Sequence, residues 1–296
     1  MERRAFAPPS GLDLNGHLSS SDMVTSPISK KLNLGCGSRA LPTWVNLDFA
    51  AQPGLVAEHD LRQSLPFAAA TFDVVYHSHV LEHLSPADAH RFLAECQRVL
   101  RPGGIFRIAV PDLEQKAWLY LEKLAAAERA TSEHTAAEHE WMVIELIDQM
   151  VRTRSGGAMG DFMVGGRADA LASARIGDEF SLAKKAIAHT PDQSRVRPGI
   201  RARLARVLRR FAGVSEDEWQ WLLFRRRGES HLWMYDRASL RSLLAECGFS
   251  DCSVVDAFNS RIPDWTADGR WLDVEQERAR KPDSLFMEAT KPSDTA

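Results

Sequence analysis

The chain has 296 residues, 44% hydrophobic and 26% charged, with a formal net charge of -3. That is enough apolar material for a packed core under a soluble surface. The near-neutral balance gives no global reason to expect a nucleic-acid binder, and no apolar run approaches the roughly 20 residues that span a bilayer.

Residues 1–29 are rich in Ser, Pro and Gly and lack an apolar stretch of the secretory kind, so they read as a flexible arm. The four cysteines form no Cys-x-x-Cys pair and have no histidine cluster at zinc spacing. The expectation is free thiols in a reducing cytoplasm and no metal centre.

The first extended run is Lys31 to Gly35, and it ends in the turn Gly35-Cys36-Gly37. A second run, Trp44 to Asp48, ends in an acid. A weaker third run, 54–59, ends beside Asp60 and Leu61. Residues 72–78 are β-branched and aromatic, which favours a strand. The period then changes: Ser85 can cap a helix with Pro86 in its first turn, and Phe92, Leu93, Cys96, Val99 and Leu100 follow at helical spacing. Pro102-Gly103-Gly104 should stop that helix before a strand over 105–110.

Beyond Asp112 the pattern is helical over 113–130 and 134–153. Residues 155–200 carry few order signals, and 113–230 reads as a helical cap. Residues 195–210 hold seven arginines and no acid, with Ile200, Leu204, Val207, Leu208 and Phe211 on the opposite face. A basic amphipathic segment of this kind suits an anionic membrane surface, a phosphorylated or lipid-linked acceptor, or packing on its own domain. It lacks the interleaved aromatics of a single-strand nucleic-acid binder. Asp236 caps a further helix ended by Gly248, and strands are expected over 252–258 and 284–290. Alternation of strands and helices predicts an open, mostly parallel α/β sheet, with ligands at the carboxyl ends of its strands.

The chemistry concentrates at those ends. Glycines at 35 and 37 let backbone approach a ligand closely. An acid such as Asp48, closing the second strand, can accept the hydroxyls of a ribose. Only eight residues separate Gly35 from Trp44. This is too few for a crossover helix and its pyrophosphate-binding N-terminus, so a nicotinamide dinucleotide or nucleotide-sugar enzyme is disfavoured.

Taken in order, Leu32-Asn33-Leu34-Gly35-Cys36-Gly37, Leu65-Pro66-Phe67, Phe72-Asp73-Val74-Val75, His79-Val80-Leu81-Glu82-His83-Leu84 and Val99-Leu100-Arg101-Pro102-Gly103-Gly104 resemble the motifs of class I methyltransferases that use S-adenosylmethionine (SAM). The resemblance covers residues 31–110, and Leu243 to Phe249 is similar to the family's late helix and turn. It implies a Rossmann-like seven-stranded sheet with the last strand antiparallel. The core would be 30–112 completed by 231–296.

The resemblance also implies SAM as cofactor and S-adenosylhomocysteine as product. It places Gly35, Cys36 and Gly37 at the methionine part, Asp48 at the ribose, Asp60 and Leu61 at the adenine, and Ser78 and His79 beside the sulfonium. Ser38-Arg39 departs from the small residues many relatives have there. The compact turn-to-acid spacing is similar to a type 11-like subgroup found with bacterial surface-polysaccharide genes. The acceptor would be a small molecule or a glycan hydroxyl, in a cytoplasmic protein or one peripheral at the inner membrane face.

An alcohol acceptor profits from a general base, for which His79 and His231 are the candidates and His83 a local helix-start residue. The contrasting reading is a non-catalytic methyltransferase-like assembly protein.

Overall fold

The computed structural model describes residues 29–130, 132–177, 180–181, 184–185, 213–226 and 228–293. The N-terminal arm up to residue 28 and the arginine-rich segment 195–211 lie outside these residues.

Strands β1 (Lys31–Leu34), β2 (Val45–Asp48), β3 (Ala57–Glu58), β4 (Phe72–Ser78), β5 (Leu100–Pro111), β6 (Ser250–Val255) and β9 (Ser284–Thr290) form one seven-stranded sheet in the order β3-β2-β1-β4-β5-β9-β6. All neighbours pair parallel except β9, which runs antiparallel to both β5 and β6. The Rossmann-like sheet with an antiparallel last strand is thus as expected. The order steps outward from β1 in both directions, which makes the β1–β4 boundary the topological switch point where ligands collect.

No helix connects β1 to β2; the ten residues between them, 35–44, hold only turns and bends. Helix α1 (Pro86–Val99) begins as its sequence requires, with Ser85 Oγ accepting the Asp88 N–H at 3.2 Å. Its buried stripe, Ala89, Phe92, Leu93, Cys96 and Val99, packs against the sheet with Leu34, Val75 and Ile108. The strand after α1 differs from expectation. It starts at Leu100, and Pro102-Gly103-Gly104 lies in an irregularity between the pairs Phe72–Leu100 and Val74–Ile105. A Cβ at Gly104 would sit 2.8 Å from the Arg101 carbonyl oxygen, so only glycine fits that bend.

Helices α2 (Leu113–Arg129), α3 (Glu133–Val151), α4 (Gly157–Gly165) and α5 (Asp169–Ile176) enclose a second apolar cluster, with Trp141, Met142, Phe162 and Ala172 buried. Helix α6 (Glu216–Arg226) follows, and α7 (Arg237–Glu246) is capped by Asp236, which accepts from Ala238 N–H and Ser239 N–H. Strand β6 begins two residues earlier than expected and ends at Val255.

The stretch joining β6 to β9 is ordered rather than loose. It contains a π-helical turn (Trp265–Gly269), the short helix α8 (Arg270–Asp273) and the hairpin β7 (Val274–Glu275)–β8 (Arg278–Ala279). It is anchored by Arg107, which is fully buried on β5. Arg107 Nε donates to Asp273 Oδ2 at 2.9 Å, and Nη1 donates to Glu288 Oε1 at 2.8 Å. Its guanidinium also lies 4.3 Å from the Trp265 ring centre. A buried charge is stable only when paired this completely.

Candidate cofactor and acceptor cleft

The carboxyl ends of β1, β2 and β4 meet at a cleft of about 690 Å³. Gly35, Asp48, Asp60, Leu61 and His79 all line it. A smaller cavity of about 220 Å³ adjoins it, lined by Cys36, Gly37, Arg39, Ser78, Arg280 and Lys281. Gly35 and His79 line both. All the residues expected at the cofactor are therefore brought to one place.

The turn after β1 is built by its glycines. Gly35 has φ +64°, and a Cβ there would sit 2.4 Å from Val80 Cγ2, so the strand end packs directly on the chain that follows His79. Gly37 has φ +51° with no atom within 4 Å of a Cβ position, so its missing side chain leaves open space. The Gly37 N–H donates to Asp48 Oδ2 at 2.8 Å, and the Ala50 N–H donates to Oδ1 at 3.1 Å. Each carboxylate oxygen keeps a lone pair for a ribose hydroxyl. Burial, with Asp48 beside it, pushes the Cys36 thiol up to about 11, so it stays protonated at neutral pH. Asp60 is engaged at close range: Arg62 donates to it through Nε at 2.9 Å and Nη2 at 2.8 Å. That pairing, above all, holds its carboxyl below the ordinary range.

His79 sits in the left-handed region at φ +54°, one of the few residue types that tolerate it. Its N–H donates to the Ala109 carbonyl at 2.9 Å, and its ring Nε2 hydrogen-bonds Ser284 Oγ at 2.8 Å. Its Nδ1 lies 3.1 Å from Glu82 Oε1. Glu82 is fully buried, and this contact with His79 is the one close approach to its carboxylate by a nitrogen among the described ion pairs, leaving Oε2 without a donor. Burial acts to raise this carboxyl. The neighbouring His79, by its charge and its hydrogen bond, outweighs it above all and holds the group well below the usual range.

His231 arrives from the far side. Its N–H donates to the Gln149 carbonyl, and the next residue, Leu232, donates to the Glu82 carbonyl at 2.7 Å. The imidazole is 4% exposed and does not line the cleft; His83 and Leu232 do. Its ring centre is 4.8 Å from that of His83. Burial lowers its pKa to about 3, leaving a neutral ring. The sequence-based expectation that His231 reaches the acceptor directly thus needs correction: its backbone tether to α3 and Glu82 turns the ring inward.

Other residues of the site were not foreseen. Ser284 opens β9 and hydrogen-bonds His79, Arg280 and Lys281 belong to the segment tied down by Arg107, and Arg225 and Arg226 bring α6 to the rim of the larger cleft. No local pattern marks them; they lie more than 140 residues from the turn they face.

Parts of the chain are similar to known proteins. Residues 45–108 match the family model described as a methyltransferase domain. An uncharacterized methyltransferase of Synechocystis sp. is 30% identical over 35% of this chain and 57% of its own length. A probable S-adenosylmethionine-dependent methyltransferase of Mycolicibacterium smegmatis is 41% identical over 21% of this chain and 24% of its own length. A ubiquinone biosynthesis O-methyltransferase of Parvibaculum lavamentivorans is 32% identical over 34% and 39%. The chain therefore spans less than two thirds of each of these relatives. The matched segment is similar to a methyltransferase domain, and it lies within the seven-stranded Rossmann-like sheet.

Proposed function

We propose that the protein transfers the methyl group of SAM to a hydroxyl of a small-molecule or glycan acceptor. The observation that carries this is the convergence of Gly35, Gly37, Asp48 and His79 on one continuous cleft. The open space at Gly37 and the Asp48 carboxylate, positioned by two backbone N–H groups, suit the methionine part and the ribose. Asp60 and Leu61 line the adenine end, and Cys36, Ser78 and His79 line the methionine and sulfonium end.

SAM supplies an already activated methyl carbon. The protein's task is then alignment of the acceptor oxygen, from which much of the rate comes. His79 takes the acceptor proton, with its ring oriented by Ser284 on one side and Glu82 on the other. His231 acts behind it, through Glu82 and His83. A relative named as an O-methyltransferase supports oxygen as the target.

From the cap, Arg225, Arg226 and Gly228 line the larger cleft and form part of the acceptor wall. Arg225 and Arg226 at the rim favour an acceptor that carries negative charge, such as a phosphorylated or lipid-linked glycan of surface-polysaccharide synthesis. A cytoplasmic or membrane-peripheral site of action follows from such an acceptor.

The test is calorimetric titration with SAM and S-adenosylhomocysteine, followed by incubation with methyl-labelled SAM and a panel of hydroxylated acceptors. Binding of both ligands and label on one acceptor oxygen is expected. Failure of both ligands to bind overturns the reading.

A further inference from the structure

We propose that Glu82, His83 and His231 form a binding site for one divalent transition-metal ion at the inner wall of the cleft. The three side chains each present one donor atom, and these atoms lie within 4.8 Å of one another. They are the one such His/carboxylate group among the described residues. Two imidazoles and one carboxylate are the set that zinc, iron(II) and manganese(II) accept.

Several independent features mark these groups as ligands rather than packed polar residues. Glu82 is completely buried, and a buried carboxylate without donors is costly. Its one close neighbour outside the cluster is His79, whose Nδ1 lies 3.1 Å from Oε1 and leaves Oε2 without a donor. Glu82 is also faced by the imidazoles of His83 and His231, an arrangement that accommodates a cation between them.

His83 is held as metal-binding histidines are. Its Nδ1 lies 3.2 Å from the Ser230 carbonyl oxygen, which can only accept. The proton is therefore on Nδ1, and Nε2 carries the free lone pair. Donors bonded at roughly 2.0–2.2 Å to one tetrahedral ion stand about 3.4 Å apart, a small contraction from the spacing of these three, and three donors leave a coordination position open.

His83 lines the larger cleft whereas Glu82 and His231 do not, so the open coordination positions face the cleft on the His83 side. These positions take the acceptor's hydroxyl oxygen. A bound metal lowers the pKa of such an oxygen and fixes its direction, easing the demand on His79. This role in orienting the acceptor rests on the methyl-transfer reading; the metal site does not.

The experiment uses the full chain, stripped with chelator and dialysed. Cobalt(II) is titrated in and followed by visible absorption, with zinc(II) by equilibrium dialysis, both without SAM. One equivalent is expected for the unaltered protein and for His134→Gln, which changes an exposed histidine elsewhere. Glu82→Gln and His231→Gln should bind at least about tenfold more weakly. Circular dichroism of each variant checks its fold. Should the buried variants fail to fold, His83→Gln, altered at the cleft wall, carries the same expectation.

Less than half an equivalent bound by the unaltered protein, or folded ligand variants that bind like it, overturns the proposal. SAM affinity measured in metal-free buffer is a separate readout. Its loss would overturn the methyltransferase reading and leave the metal result standing.

Discussion

The Gly37 N–H donates to Asp48 Oδ2 across 2.8 Å, joining the end of β1 to the end of β2 without an intervening helix. The glycine turn and the acid are thereby one unit. Asp48→Ala should weaken both SAM and S-adenosylhomocysteine by about 10- to 100-fold, the scale of losing hydrogen bonds to a charged group. Calorimetry on the variant decides it, and unchanged affinity would place the ribose elsewhere.

Gly35→Ala should cost about 1–3 kcal/mol, because the new methyl meets Val80 Cγ2 and the backbone is left-handed. Urea unfolding measures this. Adding Val80→Ala should recover the part due to the clash but not the part due to backbone strain.

His79→Asn retains a residue that tolerates the left-handed backbone while removing the ring. The turnover number should fall by at least about 100-fold, with cofactor affinity changed far less. Single-turnover transfer of labelled methyl separates the two quantities. Loss of cofactor binding with unchanged chemistry would make His79 a cofactor contact only.

Arg107→Met should destabilise the fold by about 3–5 kcal/mol, since Asp273 and Glu288 would be left buried without their cation. Chemical denaturation gives the total. Faster amide exchange over residues 260–283 would show that the anchor is local to that segment.

Cys36, with its thiol raised to about 11, should react slowly with iodoacetamide at pH 7.5. The rate should climb as pH rises toward 11, and unfolding at pH 7.5 should accelerate it. Rapid modification of the folded protein at neutral pH would contradict the burial described at this turn.

Much of this site is written in short stretches of chain. The extended runs around 31–34, 45–48 and 72–78, the glycines at 35 and 37, and Ser85-Pro86 act through neighbours a few residues away. Backbone sterics and capping at that range leave a local pattern. The short link from Gly35 to Trp44 excludes a crossover helix by length alone. The partners of His79 left no such pattern. Ser284 reaches it because β9 pairs antiparallel with β5, setting Ser284 opposite Pro111, and His231 lies behind Glu82 because Leu232 hydrogen-bonds the Glu82 backbone. Such pairings join residues about 150–205 positions apart, and long-range burial and charge compensation select them. The amino-acid sequence by itself determined the turn, its acid and the sheet that carries them. Only the tertiary structure decided which histidine faces the cleft and which turns inward to share a buried carboxylate.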